Sequence, residues 1–258
     1  MSKRHTIIGG SQPIPPIPPD VPYQENLVFY APLNQGELFD YVSGEVGVSG
    51  RDSYCVWDEQ EQIMHLGFDT NLVNGNNRAM GLRFSSTAFQ SNMLTCIANK
   101  GLTACMYYKD SPDFAGNNSS WHQQRPLSIE DVNDLHIHYD NGGPGLNCAI
   151  DAYHANRSYS GNAVPSSALV YRFVAMTYNS STNYMVTYEN GTQKRSGSFG
   201  LPVAMNTYIS SLCIMGQYSD ATNLASNYNC SKMSIYAKDV RVYNRCLSAS
   251  EIQQLKYY

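Results

Sequence analysis

Short apolar runs separated by polar turns make up most of the chain, beginning at Leu27. Leu27–Ala31 and Ile63–Phe68 are two such runs, and residues 94–98 and 104–108 are two more. Glycine, asparagine and serine separate the runs at short intervals, and no alternation of strand and helix patterns is visible. The pattern predicts an all-β protein whose antiparallel strands form a sandwich or a barrel.

The clearest of these patterns is a meander of three strands in residues 171–195. A polar turn at residues 179–183 separates the first two runs, and Asn190-Gly191 separates the second from the third. Both central residues of a type I′ turn have positive φ, which Asn and Gly tolerate, so this dipeptide predicts a tight hairpin. We therefore expect three consecutive antiparallel strands here.

The end of the chain predicts a strand followed by a short helix. Val240 and Val242 alternate with charged residues, as in a strand with one buried face. Ser248 and Glu251 have the spacing of a capping box, in which each side chain accepts a hydrogen bond from the other residue's backbone amide. A helix this short is marginal by itself, so it is expected to pack on the sandwich through Ile252.

The first 24 residues differ in composition from the rest of the chain. Six of the 12 prolines fall between Pro13 and Pro22, and the spacing of Ile14 and Ile17 matches the three residues per turn of polyproline II. We therefore predict an anchor peptide with an extended proline-rich arm in residues 1–24, and one large β domain in residues 25–258. A proline-rich ligand for an aromatic groove is an alternative reading of the arm.

The residues before the prolines form a basic and apolar peptide that would be disordered by itself. Arg4, Ile7 and Ile8, together with Ile14 and Ile17 of the arm, are the residues expected to anchor the chain on a neighbouring protein. No secretory signal is recognised, because prolines follow the isoleucines at once. No apolar run reaches the roughly 20 residues of a membrane-spanning helix, so no membrane partner is expected.

The overall composition excludes some partners and favours others. The 17 Lys and Arg against 21 Asp and Glu give a net charge of -4, so no basic surface for nucleic acid is expected. The 20 tyrosines offer flat rings with a polar tip, which suit weak stacking on sugars. Tyrosine is also favoured in strands for structural reasons. The seven cysteines lack zinc-site spacing and are expected to be reduced core residues.

Two segments resemble the concanavalin A-like lectin/glucanase superfamily, most closely its laminin G-like and pentraxin-like branch. They are YRFVAMTYNSSTNYMVTYENGTQ, which begins at residue 171, and KDVRVYNRCLSASEI, which ends at residue 252. ENLVFYAPLN resembles the opening strand of the family, and MHLGFD resembles a strand that precedes an acidic turn. The resemblance covers residues 25–258 and implies a jelly-roll sandwich of two curved antiparallel sheets with a short C-terminal helix.

Enzymes of this superfamily that cut β-glucans carry Glu-x-Asp-x-x-Glu on one strand. The nearest match is WDEQE at residues 57–61, where Glu59 and Glu61 would share a strand face but have the wrong spacing. We therefore predict that the chain is not an enzyme and has no catalytic residue. A glycoside hydrolase or lyase on the same scaffold is the alternative.

One strand-like run carries the chemistry of a metal site. His136, His138 and Asp140 alternate with apolar residues, so they would project from one face of a strand. Two imidazoles and a carboxylate suit a divalent metal, although a solvated polar strand face explains the same pattern. The resemblance implies calcium at the rim of some related domains, so calcium is the cofactor that we would expect.

Five residues are candidates for carbohydrate binding. Trp121 follows a Gly-Asn-Asn-Ser-Ser run and is expected at a loop edge, where an exposed indole can stack on a sugar. A tryptophan that closes the sandwich is the alternative. Tyr107, Tyr153 and Tyr159 are further stacking candidates, and Asn141 lies in a turn rich in oxygen ligands.

These features predict a non-enzymatic carbohydrate-binding or adhesion module displayed on a particle. The expected setting is a bacteriophage virion, in which the chain is a head-fibre, decoration or receptor-binding protein. It would be made in the host cytoplasm and anchored to a capsid or tail protein by its arm. Its ligand would be a glycan or cell-surface polysaccharide, and the period of three in the arm suits a homotrimer. The alternatives are a purely structural capsid-stabilising protein and a protein that stays in the cytoplasm.

Overall fold

Two antiparallel sheets pack face to face around one apolar core, which confirms the predicted all-β jelly-roll sandwich. The computed structural model describes residues 14–34, 37–49, 53–68, 81–110, 124–130, 135–139, 146–152, 156–160, 170–198, 209–215 and 235–258. All statements about the structure concern these residues.

The strands are, in chain order, β1 (Leu27–Ala31), β2 (Val48–Ser49), β3 (Ser53–Asp58), β4 (Ile63–Phe68), β5 (Leu82–Phe84), β6 (Gly101–Asp110), β7 (Gln124–Glu130), β8 (Leu135–Tyr139), β9 (Leu146–Ala152), β10 (Asn156–Ser160), β11 (Arg172–Asn179), β12 (Tyr184–Glu189), β13 (Thr192–Ser198), β14 (Ser211–Ile214) and β15 (Ile235–Tyr243). Two α-helices accompany them in the described part, α1 (Thr87–Ala98) and α2 (Ala249–Leu255). The 3-10 turn Gln24–Asn26 leads into β1.

The larger sheet has the strand order β13-β12-β11-β6-β15-β4-β3. Strand β1 also pairs with β15. It lies on the same side of β15 as β4, where β4 pairs with the first part of β15 and β1 with the last part. The smaller sheet has the order β10-β9-β8-β7-β14-β5-β2. Every pairing is antiparallel, and the inward-facing apolar residues of both sheets form the shared core.

Phe29 connects the layers of this core. It lies on β1 and is 0% exposed. Its ring meets Phe84 of β5 edge to face at a centroid distance of 4.9 Å, and Phe89 of α1 at 5.9 Å. One side chain of the larger sheet therefore holds both the smaller sheet and the helix.

The predicted meander is confirmed as β11, β12 and β13. Glu189 pairs with Thr192, so the hairpin has a loop of two residues. Asn190 has a φ of 50° and Gly191 a φ of 76°, the two positive values that a type I′ turn requires. The prediction succeeded here because turn chemistry and register depend on neighbouring residues alone.

The structure contradicts the expectation of a strand at residues 94–98, because these residues form the end of α1. Ser86 caps the helix by accepting a hydrogen bond from the Phe89 amide at 3.2 Å. Phe89, Met93 and Cys96 follow at helical spacing and are buried. This spacing of four and three residues favours a helix over a strand.

The predicted C-terminal helix is confirmed as α2, and both halves of its capping box are present. The Ser248 hydroxyl accepts from the Glu251 amide, and the Glu251 carboxylate accepts from the Ser248 amide. Ile252 and Leu255 are both 0% exposed. They pack on the face of the larger sheet that points away from the smaller sheet, which we call the outer face.

Glu251 is expected to titrate at low pH. The Arg245 guanidinium donates to both of its carboxylate oxygens, at 2.7 Å and 3.1 Å, and lowers its pKa from 4.5 to about 2. A carboxyl whose pKa is lowered by folding stabilises the fold above pH 4.5 and loses that contribution as the pH falls toward 2. NMR titration of Glu251 measures this directly. Arg245→Met should raise the pKa of Glu251, and a value unchanged from that of the control Lys256→Met would contradict the assignment.

A second apolar layer on the outer face is covered by α2 and by residues 14–24. Ile17, Val21 and Tyr23 pack against this layer, which includes Phe173 and Ala175 of β11. Strand β11 is therefore buried on both faces, as a strand covered from two sides must be.

This arrangement differs from the predicted extended arm. The Val21 amide and the Gln24 side chain both donate to the Pro18 carbonyl, at 3.1 Å and 2.7 Å, so the segment turns back on itself. The Tyr23 hydroxyl donates to Gln254 of α2 at 2.6 Å. Residues 14–24 are thus a strap on their own domain, because the outer face offers them an apolar surface. Ile14, at the start of the strap, is 52% exposed.

The described cysteines behave as the small core residues that the composition predicts. Cys96, Cys105 and Cys213 are buried, and Cys55 and Cys246 are half-buried. All five are free thiols, and burial raises the pKa of Cys105 to about 12. In the described part of the chain no helix has the length and apolar character needed to cross a membrane.

Candidate functional site

The structure describes the side chain of one predicted sugar-binding residue, Tyr107. Trp121, Asn141 and Tyr153 lie outside the described residues, and Tyr159 lies on β10 without a described side chain. The role predicted for these four residues stays a prediction.

Most of the predicted metal-binding and anchoring residues also lie outside the described part of the structure. Strand β8 contains His136 and His138, but the structure does not describe their side chains, and Asp140 lies outside the described residues. The described residues contain no group of three or more His, Cys, Asp or Glu placed to hold a metal ion. Of the predicted anchors, Arg4, Ile7 and Ile8 precede the described residues, whereas Ile14 and Ile17 belong to the strap.

Tyr107 belongs to a cluster of aromatic and charged side chains on the outer face, beside the strap. Alternate residues of β6, including Ala104, Met106 and Tyr108, point into the core between the sheets, so Tyr107 and Lys109 point outward. We define the outer-face cluster by eight residues: Asp58, Glu61, His65, Tyr107, Lys109, Tyr171, Tyr236 and Lys238.

Strand register creates the central row of the cluster. Tyr236 of β15 pairs with His65 of β4 on one side and with Lys109 of β6 on the other. The His65 and Tyr236 rings stack at a centroid distance of 4.4 Å with an interplanar angle of 16°. Cross-strand neighbours on one sheet face are close enough for such contacts, so the pairing itself assembles the row.

Lys109 lies at the centre of the cluster, and its ammonium group is surrounded. Nζ is 4.7 Å from the ring centroid of Tyr171 and 4.7 Å from that of Tyr236. Nζ also lies 2.7 Å from Oε2 of Glu61, and the residue is only 8% exposed. An ammonium this buried needs a carboxylate and ring faces to compensate for its lost hydration, and both are present.

Glu61 is held in the turn between β3 and β4. Oδ1 of Asp58 accepts hydrogen bonds from the Gln60 and Glu61 amides, both at 2.9 Å, which fixes the turn. The Tyr171 hydroxyl donates to Oε2 of Glu61 at 3.2 Å. The hydrogen bond from Lys109 lowers the pKa of Glu61, and the backbone hydrogen bonds lower the pKa of Asp58. Both carboxylates are therefore ionised at neutral pH.

Two half-buried rings and one exposed amine border the row. Nζ of Lys238 lies 5.6 Å from the ring centroid of Tyr107 and 6.0 Å from that of Tyr171. Tyr107 is held by Phe173, at a centroid distance of 5.1 Å, and by a hydrogen bond from its hydroxyl to the Lys256 carbonyl. The cluster thus combines fixed aromatic rings with one amine donor and one carboxylate acceptor at the surface.

Sequence reasoning found Tyr107 but missed most of its neighbours. Glu61 was considered only as a catalytic carboxylate on a strand, and the structure places both Glu59 and Glu61 in a turn instead. A usable signal was present in the strands themselves. Tyr107 and Lys109 on β6, and Tyr236 and Lys238 on β15, repeat the same two residue types at a spacing of two.

Comparisons with known proteins show a likeness in fold alone. No family model matches the chain, and no curated protein sequence matches it. The binding domain of botulinum neurotoxin serotype C1 has a TM-score of 0.63 at 12% identity, over 90% of this chain and 52% of that chain. The binding domain of Paraclostridial Mosquitocidal Protein 1 has a TM-score of 0.60 at 14% identity, over 90% of this chain and 52% of that chain.

A third similar structure comes from botulinum neurotoxin type C, whose cell entry depends on interaction with two ganglioside molecules. Its TM-score is 0.62 at 12% identity, over 90% of this chain and 51% of that chain. The chain therefore spans about half the length of the solved structures that it resembles. These structures share its β-rich, jelly-roll-like fold.

Proposed function

We propose that the chain is a non-enzymatic carbohydrate-binding module and that the outer-face cluster binds the glycan. The observation that carries this proposal is the placement of the half-buried Tyr171 ring between the exposed amine of Lys238 and the carboxylate of Glu61, with the half-buried ring of Tyr107 next to the same amine. A sugar ring presents an apolar face for stacking and hydroxyl groups at its edge, and this surface offers partners for both. The binding domains that share the fold support a binding role.

The electrostatics of the cluster favour binding over hydrolysis. A glycoside hydrolase needs one carboxyl group with a raised pKa as its acid, next to an ionised partner. Glu61 and Asp58 both have lowered pKa values. Burial raises the pKa of Asp40 and Asp239, but Asp40 accepts backbone and serine hydrogen bonds and Asp239 pairs with Arg241. Neither is placed to protonate a sugar.

Tyr171→Ala is expected to weaken glycan binding by about tenfold, or about 1.4 kcal/mol, because it removes a ring that the sugar stacks on. Tyr184→Ala is the matched control, because Tyr184 is 40% exposed and pairs with Asn179 at the far end of β11. A glycan array identifies the ligand, and isothermal titration calorimetry on each variant measures its affinity. Equal losses in the two variants would contradict this placement of the site.

The display of this module on a bacteriophage virion also belongs to the proposal. Arg4, Ile7 and Ile8 offer a charge and two apolar side chains to a capsid or tail protein. Because Ile17 packs on its own domain, the proposed anchor is limited to the residues before the strap.

Deletion of residues 1–13 is expected to leave the melting temperature unchanged and to abolish incorporation into virions. The strap, whose contacts cover the outer face, is kept in this variant. Incorporation is measured by immunoblot of purified particles, with Arg4→Ala as a milder variant. A truncated chain that enters particles at the level of the full chain would contradict the anchoring role.

A further inference from the structure

We infer that the outer-face cluster selects an uncharged sugar residue and disfavours an acidic one, such as a sialic or uronic acid. This inference rests on the proposed carbohydrate binding and concerns the same site. Its basis is the juxtaposition of Lys109 and Glu61. The charge of Lys109 is already compensated by Oε2 of the Glu61 carboxylate, whose other oxygen remains available to a ligand.

Lys109 is unsuited to binding a ligand carboxylate. Its side chain is 9% exposed, and its ammonium group lies against Oε2 of Glu61 and two tyrosine rings. An acidic sugar would have to displace Glu61 from this pair. The incoming carboxylate would replace one that the Asp58 turn and the Tyr171 hydroxyl already hold in place, so the exchange would gain no additional ion pairing for Lys109.

Glu61 offers a hydrogen-bond acceptor. Its contacts with Lys109 and Tyr171, as described, both use Oε2, and the side chain is 38% exposed. An ionised carboxylate accepts hydrogen bonds and donates none, so its suitable partner is a hydroxyl or amide that donates. The hydroxyl groups of a neutral sugar meet this need, whereas a ligand carboxylate would face a like charge.

The charges of the lysine, aspartate and glutamate side chains of the cluster sum to zero. Lys109 and Lys238 contribute two positive charges, and Asp58 and Glu61 contribute two negative charges. Glu59, exposed in the same turn, adds a further negative charge to the surroundings. Lys238 is exposed, and a single solvated amine gains little from an ion pair once salt screens it. It serves a neutral ligand as a hydrogen-bond donor.

The test uses matched pairs of oligosaccharides. One member of each pair is neutral, and in the other member a sialic or glucuronic acid replaces the terminal sugar. We expect the neutral member to bind about tenfold more tightly, a difference of about 1.4 kcal/mol. Its affinity should change by roughly twofold at most between about 0.05 and 0.5 M salt, because no net charge is neutralised on binding. Isothermal titration calorimetry of the full chain measures both quantities.

Two variants connect the preference to Glu61. Glu61→Gln should weaken neutral binding about tenfold and reduce the preference over the acidic member. Lys109→Met combined with Glu61→Gln removes the pair together, leaves no unpaired buried charge and should show the same loss. Glu37→Gln is the matched control, because Glu37 also accepts from a tyrosine hydroxyl, that of Tyr41 at 2.6 Å, outside the cluster.

The outcomes separate this inference from the function on which it rests. Tighter binding of the acidic members, weakened steeply by salt, would overturn the charge selection and leave carbohydrate binding intact. Binding of neutral members that is unaffected by both Glu61 variants would overturn the role of Glu61. Failure of every oligosaccharide to bind would overturn both proposals together.

Discussion

Phe29→Ala is expected to lower the free energy of unfolding by about 3–5 kcal/mol, the usual loss for a buried phenylalanine. Phe29 is 0% exposed and meets Phe84 and Phe89 edge to face, so its removal leaves a cavity where both sheets and α1 converge. Aromatic contacts of this geometry add to the cost of the lost apolar burial. Urea denaturation followed by circular dichroism measures the change.

Leu94→Ala is the control for this prediction. Leu94 also lies near the converging elements, on α1, but it is 45% exposed, and surface changes usually stay within about 0.5 kcal/mol. A loss for Phe29→Ala no larger than that of Leu94→Ala would mean that β1 does not join the sheets as described.

Arg241→Met is expected to cost about 3–5 kcal/mol, because it leaves the carboxylate of Asp239 buried without its partner. Arg241 is 1% exposed, and its guanidinium donates to both oxygens of Asp239 and to the Tyr258 carbonyl. Burial raises the pKa of Asp239, and the positive charge of Arg241 opposes that shift. Removing the arginine removes the positive charge that keeps the pKa of Asp239 from rising further.

A double variant separates the lost charge pair from lost packing. Asp239→Asn added to Arg241→Met removes the unpaired charge, and asparagine tolerates the positive φ of 58° at this position. The double variant should therefore recover most of the lost stability, as measured by chemical denaturation. A double variant as unstable as Arg241→Met alone would show that the packing of the arginine side chain, and not its charge, is what stabilises this region.

The parts of the fold that local signals determine were predictable from the sequence. The bounds of β1 and β4 follow from apolar runs with turn residues on either side, and the hairpin at Asn190-Gly191 follows from the φ values that these residues tolerate. The capping box of α2 is equally local. Each feature needs only contacts between residues close in sequence.

Helix α1 was missed because an apolar run was interpreted without the residues before it. Residues 94–98 by themselves fit a short strand, whereas Phe89, Met93 and Cys96 have the spacing of one helix face. Ser86 is also a favourable N-cap residue. A longer window would have favoured the helix.

The candidate site and the strap depend on contacts between distant parts of the sequence. Tyr236 meets His65 and Lys109 only through the register of β15, and an irregularity between Lys238 and Arg241 changes that register midway. No local pattern specifies such pairing. The strap likewise needs an apolar outer face, which no property of its prolines predicts.

The contact between the strap and α2 brings the first and last described segments of the chain together. The Tyr23 hydroxyl binds Gln254, and Arg245 bridges Asn26 and Glu251. A domain whose entering and leaving segments are neighbours can be spliced into a surface loop of another protein without stretching either connection. The same adjacency favours circular permutation, with new termini cut in a turn at the exposed residues 181–182 and the strap joined to the end of α2 by a short linker.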